Sequence, residues 1–225
     1  MKNEADDKLS KLANARSWFE ELRQVDEFDQ RQTELAGMIG ANLLFNRGEA
    51  KWLLEAWILK KFARFVDASQ IRLNRPDPPD GYAIFESSTV PMEMTEVLEP
   101  GRKRGLEYRK SKPELEFDPG EDWLRRAESI PEALRQRISA KLSGRYSAET
   151  ELVVYLNIGE YGIRQRQVEN LIVSLLKNSL GPFVAIHIMW KEKLFSSSGE
   201  TRSLAASNLM DESDDGEVFR HALNS

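Results

Sequence analysis

Apolar residues recur at intervals of three and four through residues 5–35, where Leu9, Leu12, Trp18, Phe19, Leu22, Val25 and Phe28 stand among charged neighbours without an intervening proline. That period predicts helix. Residues 1–47 are therefore read as an N-terminal helical extension. Its apolar stripe serves either to dock on its own chain, the simpler use, or as a dimerisation arm that would give a homodimer. After Gly37, Gly40 and a break at Asn46-Arg47-Gly48, the segment GEAKWLLEAWILKKFARFV predicts a second helix. Trp52, Leu53, Trp57, Leu59 and Phe62 are too many apolar residues for a narrow stripe, so this helix is expected to pack deeply against a sheet.

The period then changes from helical to two. Ile71 to Asn74 predicts a short strand, and prolines 76, 78 and 79 impose an extended approach to Asp80. YAIFE and VPMEMTEV are strands joined through Ser87-Ser88-Thr89, which supplies turn chemistry for a hairpin. Alternation places Glu93 and Thr95 on one face of the second strand and Met92 and Met94 on the other. Pro100-Gly101 closes that strand, residues 113–120 read as a loop, and Glu121 to about Leu142 as a helix or a helix pair interrupted at Pro131. ELVVYLNI and FVAIHIMW are apolar enough for buried strands. Between them lies a helix over about 164–178, with Val168, Leu171, Ile172 and Leu175 as its core stripe. The expectation is an α/β fold: a mixed central β-sheet flanked by helices over residues 48–195, preceded by the helical extension. From Ser196 onward the apolar pattern fades into Ser-rich and acidic sequence, read as a flexible tail over 196–225.

Composition narrows the chemistry. The 225 residues contain no cysteine, which excludes disulfides, thiolate metal sites and cysteine nucleophiles. With only two histidines, His187 and His221, a histidine-based zinc site or a Ser/His/Asp triad is disfavoured, and carboxylates are left as the metal-binding candidates. His187, inside an apolar strand, is read as a hydrogen-bonded structural residue. No apolar run reaches the ~18 residues of a membrane span and no secretory signal opens the chain, so a cytoplasmic protein without membrane contact is expected. Nucleotide-binding and common hydrolase motifs such as GxxxxGK[ST], HExxH and GxSxG are missing.

Net charge is −5, so contact with nucleic acid requires a local patch. One such patch follows the second strand: Arg102, Lys103, Arg104, Arg109, Lys110 and Lys112 stand against the lone acid Glu107. It is read either as a solvated surface or as a phosphate-contacting surface, with Tyr108 as a weak stacking candidate. Immediately before it, carboxylates at the start of one strand and the middle of its neighbour converge on one face, where a hard cation can bridge them to a phosphate oxygen. Asp80, directly before its strand, is preferred over Asp77 as the first acid. Glu86 shares parity with Asp80 and is an auxiliary candidate, whereas Glu96 points away from Glu93. Glu55, within the apolar helix, either reaches solvent at the helix edge or points toward the acids.

Pro79-Asp80 opening one strand and Glu93-Met94-Thr95 on the next, within this order of helices and strands over residues 48–190, resembles the PD-(D/E)XK, or restriction-endonuclease-like, nuclease superfamily. The resemblance implies Mg²⁺ or Mn²⁺ held by Asp80 and Glu93, nuclease activity on DNA or RNA, and a lysine two positions after the second acid. Thr95 occupies that position. Lys103 and Lys110 are candidates for a relocated lysine; Thr95 itself can hydrogen-bond water but brings no positive charge. Two readings follow: a metal-dependent nuclease, or a catalytically inactive nuclease-fold protein serving as a nucleic-acid-binding or interaction module.

Overall fold

The structure, a computed structural model, describes residues 2–75, 78–102, 120–159, 162, 164–177, 181–199 and 201–203. Helices α1 (Lys2–Phe19), α2 (Val25–Ile39), α3 (Ala41–Asn46) and α4 (Lys51–Phe65) precede most of the sheet, with the two-residue strand β1 (Arg23–Gln24) between the first two. Strands β2 (Gln70–Leu73), β3 (Gly81–Ile84) and β4 (Thr89–Leu98) follow. Then come α5 (Gly120–Leu142), β5 (Glu151–Asn157), α6 (Gln165–Leu176), β6 (Ala185–Trp190), β7 (Lys193–Ser196) and β8 (Thr201–Ser203). All eight strands form one sheet in sequence order. The pairs β4–β5 and β5–β6 are parallel and the rest antiparallel, as expected where helices bridge the first two junctions and short turns most of the others. The mixed α/β class read from the sequence is thus present.

Alternation sorts the sheet into two faces. Met92, Met94, Val153 and Met189 pack with α1, α2 and α4 in one apolar cluster; Val97, Leu152, Val154, Leu156, Ile186 and Ile188 pack with α5 and α6 in the other. The result is three layers, with each face of the central strands buried. α4 supplies Leu53, Leu59 and Phe62 at 1% exposure or less, in keeping with its broad apolar circumference. No helix among the described residues is long and apolar enough to cross a membrane.

Four details differ from or sharpen the expectation. Residues 5–35 are not one helix: α1 ends at Phe19, and Arg23 and Gln24 pair with Ile71 and Gln70 as an edge rung of the sheet. Leu22, counted in the helical stripe, is 47% exposed at that break. Leu12, Phe19 and Phe28 are buried in the first cluster, with the Phe19 and Phe28 rings in edge contact at 4.8 Å, so the stripe that suggested a dimerisation arm is covered within the chain. Pro131 lies inside a single continuous α5. A helix-interior proline costs ~3 kcal/mol, and burial of Ala127, Ile130, Leu134 and Ile138 along one face of α5 offsets it. Finally, the sheet continues past Ser196, because β8 pairs with β7 through Phe195 and Thr201.

Candidate active site

The site begins where β3 stops. Gly81 pairs with Met92, so one further step of the same register sets Asp80 opposite Glu93. Gly81 itself permits the close approach: a Cβ there would lie 2.8 Å from the Arg72 carbonyl oxygen. The ladder ends at this point, and the Met94 N–H, which would bond the next residue of a longer β3, donates instead to Asp80 Oδ2 at 2.7 Å. The Asp80 side chain therefore replaces a missing rung. Its main chain is also fixed, since Asn74 N–H donates to the Asp80 carbonyl at 2.9 Å and Asn74 Nδ2 to that of Pro79 at 3.1 Å.

Asp80 is 8% exposed and Glu93 3%. Burial, then the charges of Glu93 and Glu55, push the Asp80 carboxyl up to about 7, against the opposing pull of the Met94 N–H and the Lys141 ammonium. The acids are close enough to feel each other, and the site is short of positive charge at Asp80.

Positive charge arrives from a residue that the sequence reasoning missed. Lys141, in the last turn of α5, reaches back across 48 positions to ion-pair with Glu93 Oε1. Burial pulls the Lys141 pKa down, but the hydrogen bond and charge of Glu93, followed by the charge of Asp80, outweigh it and hold the pKa above its ordinary value. It is an ammonium at neutral pH and cannot act there as a proton acceptor. A signal for it did exist: Ala127, Ile130, Leu134 and Ile138 step along one face of α5 at helical intervals, and position 141 continues that buried stripe with a lysine.

The remaining candidates separate. Thr95 shares the Glu93 face of β4 and is half-buried. Glu55, on α4, raises the Asp80 pKa and also pairs with Lys51 at 2.9 Å, so it neither simply faces solvent nor joins as a third converging acid. Glu86 does not take part: β3 ends at Ile84, leaving Glu86 exposed in the hairpin turn at the far end of the strand from Asp80. Glu96 faces away from Glu93, as its parity requires, and accepts from Asn157 Nδ2 at 2.8 Å. Arg102 is exposed just beyond β4. Asp77, Lys103, Arg104, Arg109, Lys110 and Lys112 lie outside the described residues. His187 is held between Ser196 Oγ at 2.8 Å and Glu151 Oε2 at 2.9 Å, with Phe62 at 5.0 Å between ring centres, which fits the structural role expected of it.

Among the described residues no group of three or more acids and histidines gathers as a ready-made metal cage. Two carboxylates still suit Mg²⁺, which usually keeps several waters and takes only one or two protein carboxylates. The arrangement is then two buried acids, one fixed ammonium and a hydroxyl on one face of the sheet, with carboxylates of the kind a hard cation takes. No protein-family model, curated protein or solved structure matches this chain.

Proposed function

We propose that this chain is a metal-dependent phosphodiesterase acting on DNA or RNA, with Asp80 and Glu93 as ligands for Mg²⁺ or Mn²⁺ and Lys141 in place of the lysine that Thr95 displaces. The observation that supports the reading is the ion pair of Lys141 with Glu93 beside Asp80: a helix brings a lysine to the acids where the strand position holds threonine. It gives the PD-(D/E)XK resemblance the positive charge that the motif lacked.

The bound cation would supply a water of lowered pKa and neutralise charge on the phosphoryl oxygens. The chain's own groups divide the remaining work. Asp80, fixed by the Met94 N–H and the Asn74 contacts, sets one ligand direction, and Glu93, in the middle of β4, sets the other. Lys141 stays protonated, so its contribution is to attract and orient the phosphate and to stabilise negative charge as it develops. The Thr95 hydroxyl, on the same face, can position the water by hydrogen bonding.

The test is cleavage of single- and double-stranded DNA and RNA by purified protein with Mg²⁺ or Mn²⁺. Metal-dependent products are expected from wild type, with losses of ~100-fold or more in Asp80→Asn and Lys141→Met. Equal background cleavage by wild type and Asp80→Asn on every substrate would end the enzymatic reading. Retained nucleic-acid binding in that case would favour the inactive binding module, in which the Lys141–Glu93 pair serves only to neutralise a buried acid.

A further inference from the structure

The face of the sheet that carries Glu93 continues past the acids onto the first strands. Within β4, Pro91 and Glu93 are two residues apart and share a face. Pro91 pairs with Tyr82 of β3, and Tyr82 with Arg72 of β2, so these side chains stand in one row on the Glu93 side. Their neighbours Ile71, Leu73, Ala83 and Met92 point the other way, into the apolar cluster with α4. With strands about 4.8 Å apart and a rise of about 3.4 Å per residue, Tyr82 lies roughly 8 Å from Glu93 along the sheet. Solvent reaches this part of the face: Arg72 and Tyr82 are each half-buried. Leu22, one step before the rung that pairs Arg23 with Ile71, falls opposite Arg72 and is 47% exposed.

Arg72 is oriented without being neutralised. Its guanidinium lies over the Tyr82 ring, 4.1 Å from the ring centre, where the π face attracts it. Its Nη1 donates to the Leu73 carbonyl and to Asn74 Oδ1, each at 3.4 Å. Among the described residues no carboxylate pairs with it, whereas Arg64 and Arg75 each sit on an acid. Nε, Nη2 and the outer face of the planar fork are therefore left to a ligand.

The combination decides the ligand class. The in-plane donors of the guanidinium match phosphate oxygens, while its outer face and the neighbouring exposed leucine suit the flat face of a base. A duplex buries its base faces in the stack, so only a single strand presents a phosphate and a base face together. We propose that the Asp80–Glu93 site takes single-stranded nucleic acid, resting on the reading of those acids as the reacting centre, and that Arg72 and Tyr82 hold the nucleotide next to the scissile phosphate. Its base stacks on the outer face of the Arg72 guanidinium, which Tyr82 backs from the other side. Nε and Nη2 turn to its phosphate.

The test is fluorescence anisotropy in metal-free buffer containing EDTA, where no cleavage competes. The probes are a short labelled single-stranded DNA, the same sequence as single-stranded RNA, and the matching DNA duplex. At least one single strand is expected to bind ~10-fold or more tighter than the duplex. Arg72→Gln and Tyr82→Leu should each weaken that binding ~5-fold or more and leave the duplex as it was, so that the ratio between the two falls. Arg72→Lys, which keeps the charge without the planar face, should restore little. Arg135→Gln, at an exposed side chain of α5, should leave the ratio unchanged. Three results overturn the proposal: no saturable binding of either single strand, duplex binding as tight as theirs, or single-strand binding untouched by Arg72→Gln. Full recovery in Arg72→Lys overturns the stacked placement. If Tyr82→Leu fails to fold, Arg72→Gln, altered at a half-exposed side chain, decides. Adding Mg²⁺ separates this proposal from the cleavage reading. A single-strand preference that falls in Arg72→Gln, without cleavage by wild type, removes the nuclease and keeps the strand site. Cleavage of single strand and duplex alike, undiminished in Arg72→Gln, keeps the nuclease and removes the strand site.

Discussion

At the scale of single residues, the position of Asp80 has a measurable thermodynamic cost. Its folded-state pKa, about 7, lies above that of an ordinary carboxyl, so the folded state binds the proton more tightly than the unfolded chain does. The stability this confers is fully present below pH ~4 and is lost as pH rises through 7. Ionised, the buried carboxylate costs on the order of 4 kcal/mol at most. Asp80→Asn keeps an oxygen acceptor for the Met94 N–H and removes the charge. It is therefore expected to melt several degrees above wild type at about pH 8 in metal-free buffer, with a much smaller difference near pH 4. Thermal denaturation at the two pH values checks this, and an equal difference at both would show that Asp80 is not the strained acid. The sequence pointed to Asp80 through proline-imposed extension before an alternating strand. Chain proximity to the acids does not point to Lys141, 48 positions from Glu93, because the contact is made through a helix that folds back over the sheet; only the buried stripe of α5, which position 141 continues, carries a trace of it.

At the scale of elements, α5 and β4 are joined by both an apolar seam and an ion pair. Val97 packs with Ile130, Leu134 and Ile138, and at the carboxyl end of α5 the seam gives way to Lys141 on Glu93. Breaking one half of a buried pair costs more than the pair contributes, because the surviving charge loses its partner. Lys141→Met is expected to destabilise the fold by about 2 kcal/mol in urea unfolding, and Glu93→Gln added to it to recover most of that loss. Additive losses in the double variant would mean that the two side chains are not energetically coupled. The strong periodic segments were legible: α4, β4, β5, α6 and β6 stand where their apolar patterns placed them. Within α6, however, the buried stripe is Val168, Ile172 and Leu176, and Leu171, expected in the core, is 39% exposed because the sheet covers only one side of the helix. The break between α1 and α2 was not, since Leu22 and Val25 keep the helical spacing while two intervening residues pair with β2, a tertiary contact that periodicity does not encode. Nor were β7 and β8, whose short runs beyond Trp190 carry too few apolar residues to distinguish strand from tail.

At the scale of the whole molecule, the three layers separate structural from chemical duties. One face of the sheet and α1–α4 form the larger apolar cluster, while the face under α5 and α6 carries Glu93 and its Lys141 partner. A cation between Asp80 and Glu93 would complete a charge pattern built by distant parts of the chain, since Lys141 reaches Glu93 from α5. The most direct test of the central claim is Mn²⁺ binding followed by electron paramagnetic resonance at about pH 8, above the Asp80 pKa. One saturable Mn²⁺ site is expected in wild type, weakened ~10-fold or more in both Asp80→Asn and Glu93→Gln. No Mn²⁺ binding by wild type, or equal binding by all three proteins, would contradict the assignment of Asp80 and Glu93 as a metal centre.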